Sequence, residues 1–212
     1  MHVPIRIVLV VSLWLGSLLF PMRAQSHPPT GAPHDNHLCW QQGRRLTWSD
    51  FRAPECYSDG KTHASLVAAT TAASIPVISF VNGQGQADYH VTCLFLRDSS
   101  WVNPRVTTAA ARAHTLAHEQ LHFDTAELIA RKIRCCIGQH RAAGNDLFGP
   151  AVVADIQCLL DEYAALSDLY DEDVNFRSPA VEAAAQHRWT LQLARELHAL
   201  ARYQSTAATC SQ

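Results

Sequence analysis

The sequence lacks several features that mark common classes of protein. No cluster of Lys and Arg residues stands out, and the formal net charge of −2 at pH 7 gives no indication of a nucleic-acid partner. No pair of cysteines has the C-x-x-C spacing that is typical of zinc sites built from thiolates. No internal repeat is present. A chain of 212 residues is long enough for one globular domain with a sizeable core.

The only marked apolar run near the N-terminus is short. Arg6 ends a basic segment, residues 7–20 are apolar, and residues 24–26 offer small side chains where a signal peptidase reads them. The run is too short for a comfortable membrane span, and no cysteine lies near the cleavage point for a lipid anchor. We therefore expect residues 1–26 to be a signal peptide. The mature protein is expected to be periplasmic or extracellular, with no membrane span.

The remaining chain is predicted to be a single α+β domain, residues 44–205, between a flexible leader (27–43) and a tail (206–212). Residues 46–51 alternate apolar and polar side chains, as a strand does. Further β-rich stretches are predicted at residues 64–81 and 89–96, with an Asn82-Gly83 turn between them. These patterns predict a small antiparallel sheet of two or three strands in the N-terminal half.

A helical region is predicted to follow the sheet. The first helix has no Gly or Pro from Thr107, its expected N-cap, to Ile137, and Gly138 is the expected stop. Pro150 suits the first turn of a second helix, which is predicted to end near Leu169. A third helix is predicted from Pro179, with Ser178 as its N-cap, to about Tyr203.

The first predicted helix contains His118-Glu119-Gln120-Leu121-His122, which reads H-E-x-x-H. Residues four apart lie one turn apart on the same helical face, so the two imidazoles can hold one zinc ion. The glutamate between them is then placed to act as the general base on a water. The alternative is a pair of core histidines whose hydrogen bonds are satisfied.

Helical spacing predicts which face of this helix is buried. The residues on the expected inward face are His118, His122, Thr125, Ile129, Ile133 and Cys136. The residues on the expected solvated face are Gln120, Glu127, Arg131 and Arg134. The two histidines are therefore expected to point into the protein, where a metal site would be built.

All seven cysteines follow the expected cleavage point. In an oxidising compartment they are expected to form up to three disulfides and to leave one thiol. The local pairing of Cys39 with Cys56 is favoured. A bond from Cys135 or Cys136 to Cys158 would staple two helices. These roles are structural rather than catalytic.

Several motifs stand together in one order along the chain. They are residues 46–51 (LTWSDF), Ser100-Trp101, residues 118–124 (HEQLHFD), residues 126–132 (AELIARK), Tyr170-Asp171, Gln186 and Trp189. In this order they resemble the bacterial family of predicted secreted zinc-dependent proteases, relatives of the thermolysin-like metallopeptidases that use one zinc ion. The resemblance covers about residues 44–200. It implies hydrolysis of peptide bonds in a peptide or protein substrate, with Zn²⁺ as the cofactor.

The chain departs from the family pattern after Tyr170-Asp171. The family usually continues through Thr to a His-Gly step, whereas this chain has Phe176 where the histidine is expected. This departure supports the alternative that the protein is catalytically degraded, an exported protein that binds metal or a partner.

A catalytic zinc site needs three protein ligands and one open position. His114 lies too far from His122, because two helical turns span ~12 Å. Asp171 ranks first as the third ligand because it belongs to the family-like Tyr170-Asp171 step, expected in a loop between helices. Glu162 would mimic the later-helix glutamate of thermolysin-like enzymes, and His187 would complete an all-histidine set.

The sequence thus predicts a zinc metallopeptidase with His118, His122 and Asp171 as ligands. Glu119 is the expected catalytic base. Tyr170 either stabilises the oxyanion through its hydroxyl or packs as a core residue.

Overall fold

The computed structural model describes residues 36–54, 67–175 and 178–210. The predicted signal peptide, most of the predicted leader, Cys56 and Phe176 lie outside the described residues. Short antiparallel strands occupy the N-terminal half of the described chain, and three long helices follow them. The predicted α+β class is therefore confirmed. None of the described helices is long and apolar enough to cross a lipid bilayer.

The strands form three small antiparallel sheets rather than the one sheet expected. Their bounds are β1 His37–Cys39, β2 Ala69–Thr70, β3 Ala73–Ser74, β4 Val77–Val81, β5 Ala87–Val91, β6 Leu94–Leu96 and β7 Trp101–Val102. The strand orders are β1-β6-β3, β2-β7 and β4-β5. The predicted turn at Asn82-Gly83 is confirmed, because it joins β4 to β5 with Val77 opposite Val91 and Val81 opposite Ala87.

The alternating segment at residues 46–51 is not a strand. Residues Trp48–Asp50 form a 3₁₀ turn. The Asp50 carboxylate accepts hydrogen bonds from the backbone N–H of Thr47 at 2.8 Å and from its hydroxyl at 2.9 Å. Arg97 donates to the same buried carboxylate at 3.1 Å. A local side-chain cap has therefore replaced strand pairing, as Asp and Thr side chains often allow.

The first two helices run longer than the sequence predicted, whereas the third ends at Ala199 and not near Tyr203. Their bounds are α1 Ala109–Ala142, α2 Pro150–Val174, α3 Pro179–Ala199 and the short α4 Ala207–Cys210. The N-cap of α1 is Thr108, whose hydroxyl accepts from the N–H of Ala111, and not Thr107. The predicted stop at Gly138 is wrong because α1 passes through it. Gly144, with φ +74°, follows the end of the helix, where a left-handed residue is favoured.

Helix α1 is the central element and is buried on nearly all sides. The sheets cover one side, and α2 and α3 cover the others. The expected solvated face is therefore a wrong prediction. The exposed fractions are 6% for Gln120, 0% for Glu127 and 3% for Arg131. These polar groups are buried because they bind one another and the surrounding backbone.

Glu127 is the centre of this buried polar network. Arg131 Nε donates to it at 2.8 Å, and Arg134 lies 3.6 Å away. The backbone N–H and the hydroxyl of Ser205 also donate to its two oxygens, at 2.8 and 2.6 Å. The two arginines then reach backbone carbonyls, Arg131 that of Leu197 and Arg134 those of Val91 and Tyr203. The network ties α1 to the C-terminal segment.

The C-terminal residues are also tied to the fold by a covalent bond. Cys39 in β1 pairs with Cys210 in α4, so the predicted Cys39–Cys56 bond is wrong. Residues 206–210, assigned to a tail from the sequence, are therefore anchored to the sheet. Among the described residues, Cys93, Cys135, Cys136 and Cys158 form no disulfide. The staple proposed between Cys135 or Cys136 and Cys158 is thus not formed.

Removing the Cys39–Cys210 bond is expected to lower the free energy of unfolding by about 2–4 kcal/mol. The bond links residues 171 apart in sequence, so it restricts the unfolded chain strongly. Denaturation of a Cys39→Ser, Cys210→Ser double variant would measure the loss. The Cys135→Ser variant is the control, because this thiol is in no disulfide, and it should unfold within about 0.5 kcal/mol of the wild type. Equal stability of the double variant and the wild type would contradict the assigned pairing.

Candidate metal centre

Three potential ligand atoms meet where α1 passes the last turn of α2. They are Nε2 of His118, Nε2 of His122 and Oδ1 of Asp171. The histidines are one turn apart on α1, and α2 brings the aspartate to them because it extends past Leu169 to Val174. Asp171 is therefore on a helix and not in the loop expected from the sequence.

The distances between these atoms fit one tetrahedral ion. The two Nε2 atoms are 3.1 Å apart. Asp171 Oδ1 lies 3.1 Å from Nε2 of His118 and 3.2 Å from Nε2 of His122. A tetrahedral zinc with bonds of about 2.0–2.1 Å separates its ligand atoms by about 3.3–3.4 Å. The nearly equilateral triangle is therefore close to the size of a tetrahedral zinc site, and a fourth coordination position would remain for water.

Glu119, which follows His118 in sequence, has a buried carboxylate. Its side chain is only 3% exposed, and its Oε2 atom is buried without a hydrogen-bond partner among the described residues. A buried carboxylate oxygen without a partner costs free energy, and native proteins rarely keep one. The residue between the two histidines thus has a buried acceptor atom that none of the described residues engages.

The electrostatics of the cluster keep the Asp171 carboxyl ionised. Burial opposes ionisation of Asp171, but hydrogen bonds from His118 and His122 and their charges hold the pKa of its carboxyl well below the usual range. Burial lowers the pKa of His122, yet the hydrogen bond and charge of Asp171 and the charge of Glu119 raise it overall. Asp171 is therefore ionised at neutral pH. Asn175 Nδ2 supports it with a hydrogen bond of 3.1 Å to Oδ1.

Tyr170 packs against the histidines rather than facing an open site. Its ring is stacked on His118, with centroids 4.7 Å apart, and is 2% exposed. Its hydroxyl donates to Oε1 of Gln186 on α3. Burial raises the pKa of this hydroxyl strongly. This arrangement agrees with the packing role, which was one of the two roles considered for Tyr170. The Tyr170 hydroxyl already donates to Gln186, so it is not free to donate to an oxyanion.

Asp124 anchors the N-terminal segment beside the motif. Its carboxylate accepts from the indole N–H of Trp40 at 2.8 Å and from the Gln120 amide at 2.9 Å. The Gln120 oxygen accepts in turn from the backbone N–H of Leu46 at 2.7 Å. Burial raises the pKa of Asp124, although these hydrogen bonds lower it in part. Gln120 was expected on the solvated face because it lies opposite the apolar stripe, whereas it is buried in this network.

The other sequence candidates lie elsewhere. Glu162 forms an ion pair with Lys132, with 2.6 Å between Oε1 and Nζ. His114 and His187 are exposed. Asn175 was missed from the sequence, although its position four residues after Asp171 on a helix is a usable signal. Of the three candidates for a third ligand, only Asp171 reaches the two histidines.

Comparisons of the chain with models of protein families, with curated proteins and with solved structures find no match. The resemblance to secreted zinc-dependent proteases therefore depends on the sequence motifs alone and stays a hypothesis.

Proposed function

We propose that this protein is an exported zinc-dependent peptidase. The observation that carries the proposal is the convergence of His118, His122 and Asp171 within 3.2 Å of one another, beside a buried Glu119 oxygen without a partner. Two imidazole nitrogens and a carboxylate oxygen are a common ligand set for catalytic zinc. The Asp171 side chain is 46% exposed, so the site is open to water and substrate from its side.

Each residue has a defined role in this proposal. His118, His122 and Asp171 would hold the ion, and Tyr170 positions His118 by stacking on its ring. Zinc, when bound, would polarise the scissile carbonyl and promote ionisation of a water. Glu119 accepts the proton of that water at Oε2 and passes it to the departing amine. The substrate would be a peptide or protein.

Replacing His122 with Ala is expected to lower the zinc content by one equivalent per chain. Elemental analysis of the purified protein after zinc reconstitution and dialysis would measure the difference. Two ligands alone hold zinc poorly, so the loss should be nearly complete. The difference between variant and wild type is the readout, because it is unaffected by zinc bound elsewhere on the chain.

His114→Ala is the matched control, since it removes an exposed histidine of the same helix. Its zinc content should equal that of the wild type. Asp171→Asn should lose the same equivalent as His122→Ala, whereas Glu162→Gln should lose none. An unchanged zinc content in both His122→Ala and Asp171→Asn would exclude the proposed centre.

A further inference from the structure

A second group of metal-binding side chains lies far from the first, between the C-terminal part of α1 and the N-terminal part of α2. It contains Cys136, His140 and Asp155, whose ligand atoms all lie within 4.8 Å of one another. His140 Nε2 is 2.8 Å from Asp155 Oδ2. No part of the proposed peptidase chemistry uses these residues.

The second group repeats the arrangement of the first. Cys136 and His140 are one turn apart on α1, as His118 and His122 are. Cys136 and His140 follow the first pair by 18 residues, which is about 27 Å at 1.5 Å per residue. This distance corresponds to five whole helical turns, so both pairs lie on the same face of α1. Helix α2 packs along this face. It contributes one aspartate at each end, Asp171 to the first group and Asp155 to the second.

A second thiol lines the cleft beside this group. Cys158 follows Asp155 by three residues on α2, so the two side chains share one helical face. Cys136, Asp155 and Cys158 all line one open cleft of ≈ 360 Å³. Neither thiol is in a disulfide. Thiolate, imidazole and carboxylate together are ligands that zinc accepts in four-coordinate sites.

The alternative to a metal site is an ion pair between His140 and Asp155. It accounts for His140 and Asp155 but gives Cys136 no role. A nucleophilic cysteine is also excluded by the geometry, since both ring nitrogens of His140 are engaged. Nε2 contacts Asp155, and Nδ1 lies 2.8 Å from the side-chain amide of Asn145.

We propose that Cys136, His140 and Asp155 bind a second zinc ion that clamps α1 to α2, and that the Cys158 side chain, which lies outside this group in the structure, turns to the fourth position. The His140 side chain is 16% exposed and that of Asp155 is 58% exposed, so the carboxylate has room to adjust to the ion. This zinc would lie about 27 Å along α1 from the first centre, too far away to take part in hydrolysis there, so its role would be structural. The proposal does not depend on peptidase activity, because it rests on other residues.

Cobalt(II) is the probe that separates the two centres. A cobalt–thiolate bond has a charge-transfer absorption in the near ultraviolet, and the first centre has no cysteine to produce one. The purified protein, prepared anaerobically without reductant so that Cys39–Cys210 stays intact, should show this band. The His122→Ala variant should retain it, whereas Cys136→Ser should weaken it and a Cys136→Ser, Cys158→Ser double variant should lose it.

Cys135→Ser is the matched control. Its thiol is adjacent in sequence but is not one of the ligand atoms that meet at this group, so the variant should keep the full band. Asp155→Asn is a second variant that should fold normally, because it changes a single exposed side chain. In the His122→Ala background it should weaken cobalt binding at least about tenfold, the lower end of the loss seen for outer partners of metal sites.

Three results would each overturn the proposal. The first is the absence of a thiolate band in the wild type, and the second is a band that Cys136→Ser leaves unchanged. The third is peptide mapping that finds Cys136 in a disulfide in the exported protein as isolated. If His122→Ala keeps the zinc content of the wild type and the wild type shows the cobalt–thiolate band, the peptidase centre is rejected and the second site is supported.

Discussion

Glu119→Gln is expected to reduce peptide hydrolysis by about 10²–10⁴-fold while the protein keeps its zinc. Glutamine has nearly the same shape as glutamate but cannot accept and return a proton. Glu119 is not one of the three convergent ligand atoms, so the metal content should not change. Cleavage of an unstructured protein such as casein, or of a fluorogenic peptide mixture, measures the rate. Elemental analysis of the same preparation measures zinc.

The stability of this variant helps to distinguish catalysis from structure. The Glu119 side chain is 3% exposed and its Oε2 has no partner among the described residues, so the neutral amide removes a buried charge. We therefore expect the midpoint of thermal unfolding to stay the same or to rise. Glu162→Gln is the control and should keep its activity. Undiminished hydrolysis by Glu119→Gln would exclude it as the general base.

Glu127→Ala is expected to lower the free energy of unfolding by about 3–5 kcal/mol. The side chain is fully buried and neutralises Arg131 and Arg134, which are themselves 3% and 13% exposed. Removing it leaves two cations without their counter-charge and Ser205 without its acceptor. Urea denaturation followed by circular dichroism would measure the change.

Two comparisons isolate the buried ion pair. Glu162→Gln removes a carboxylate from the partly exposed pair with Lys132 and should cost no more than about 1 kcal/mol. A Glu127→Met, Arg131→Met double variant should be more stable than Glu127→Ala, because it removes both charges of the closest pair. If Glu127→Ala costs no more than Glu162→Gln, the network does not have the proposed energetic role.

The role of Glu119 could be predicted in part from the sequence, whereas the buried network of Glu127 could not. The H-E-x-x-H spacing specifies two ligands and a base within one helical turn, since the local geometry of a helix fixes all three. Glu127 and Arg131 were assigned to solvent because they are charged and lie opposite the apolar stripe. That inference assumes a helix at the surface of the domain. Helix α1 is instead surrounded by the sheets, α2 and α3.

Local signals also failed where two of them competed. Residues 46–51 alternate like a strand, but the Asp50 side chain caps its own turn through Thr47. Gly138 was expected to end α1, whereas the helix continues to Ala142. A glycine inside a helix costs only about 1 kcal/mol relative to alanine. Packing of a long central helix against its neighbours readily outweighs that amount.

The sequence by itself determined the α+β order, the starts of α2 and α3 at Pro150 and Pro179, and the pair of histidines on α1. Each of these depends on residues within a few positions of one another. Only the tertiary structure decided that Asp171 joins the histidines and that Cys39 pairs with Cys210. Contacts between distant segments depend on how helices and strands pack, and local residue patterns do not encode that packing.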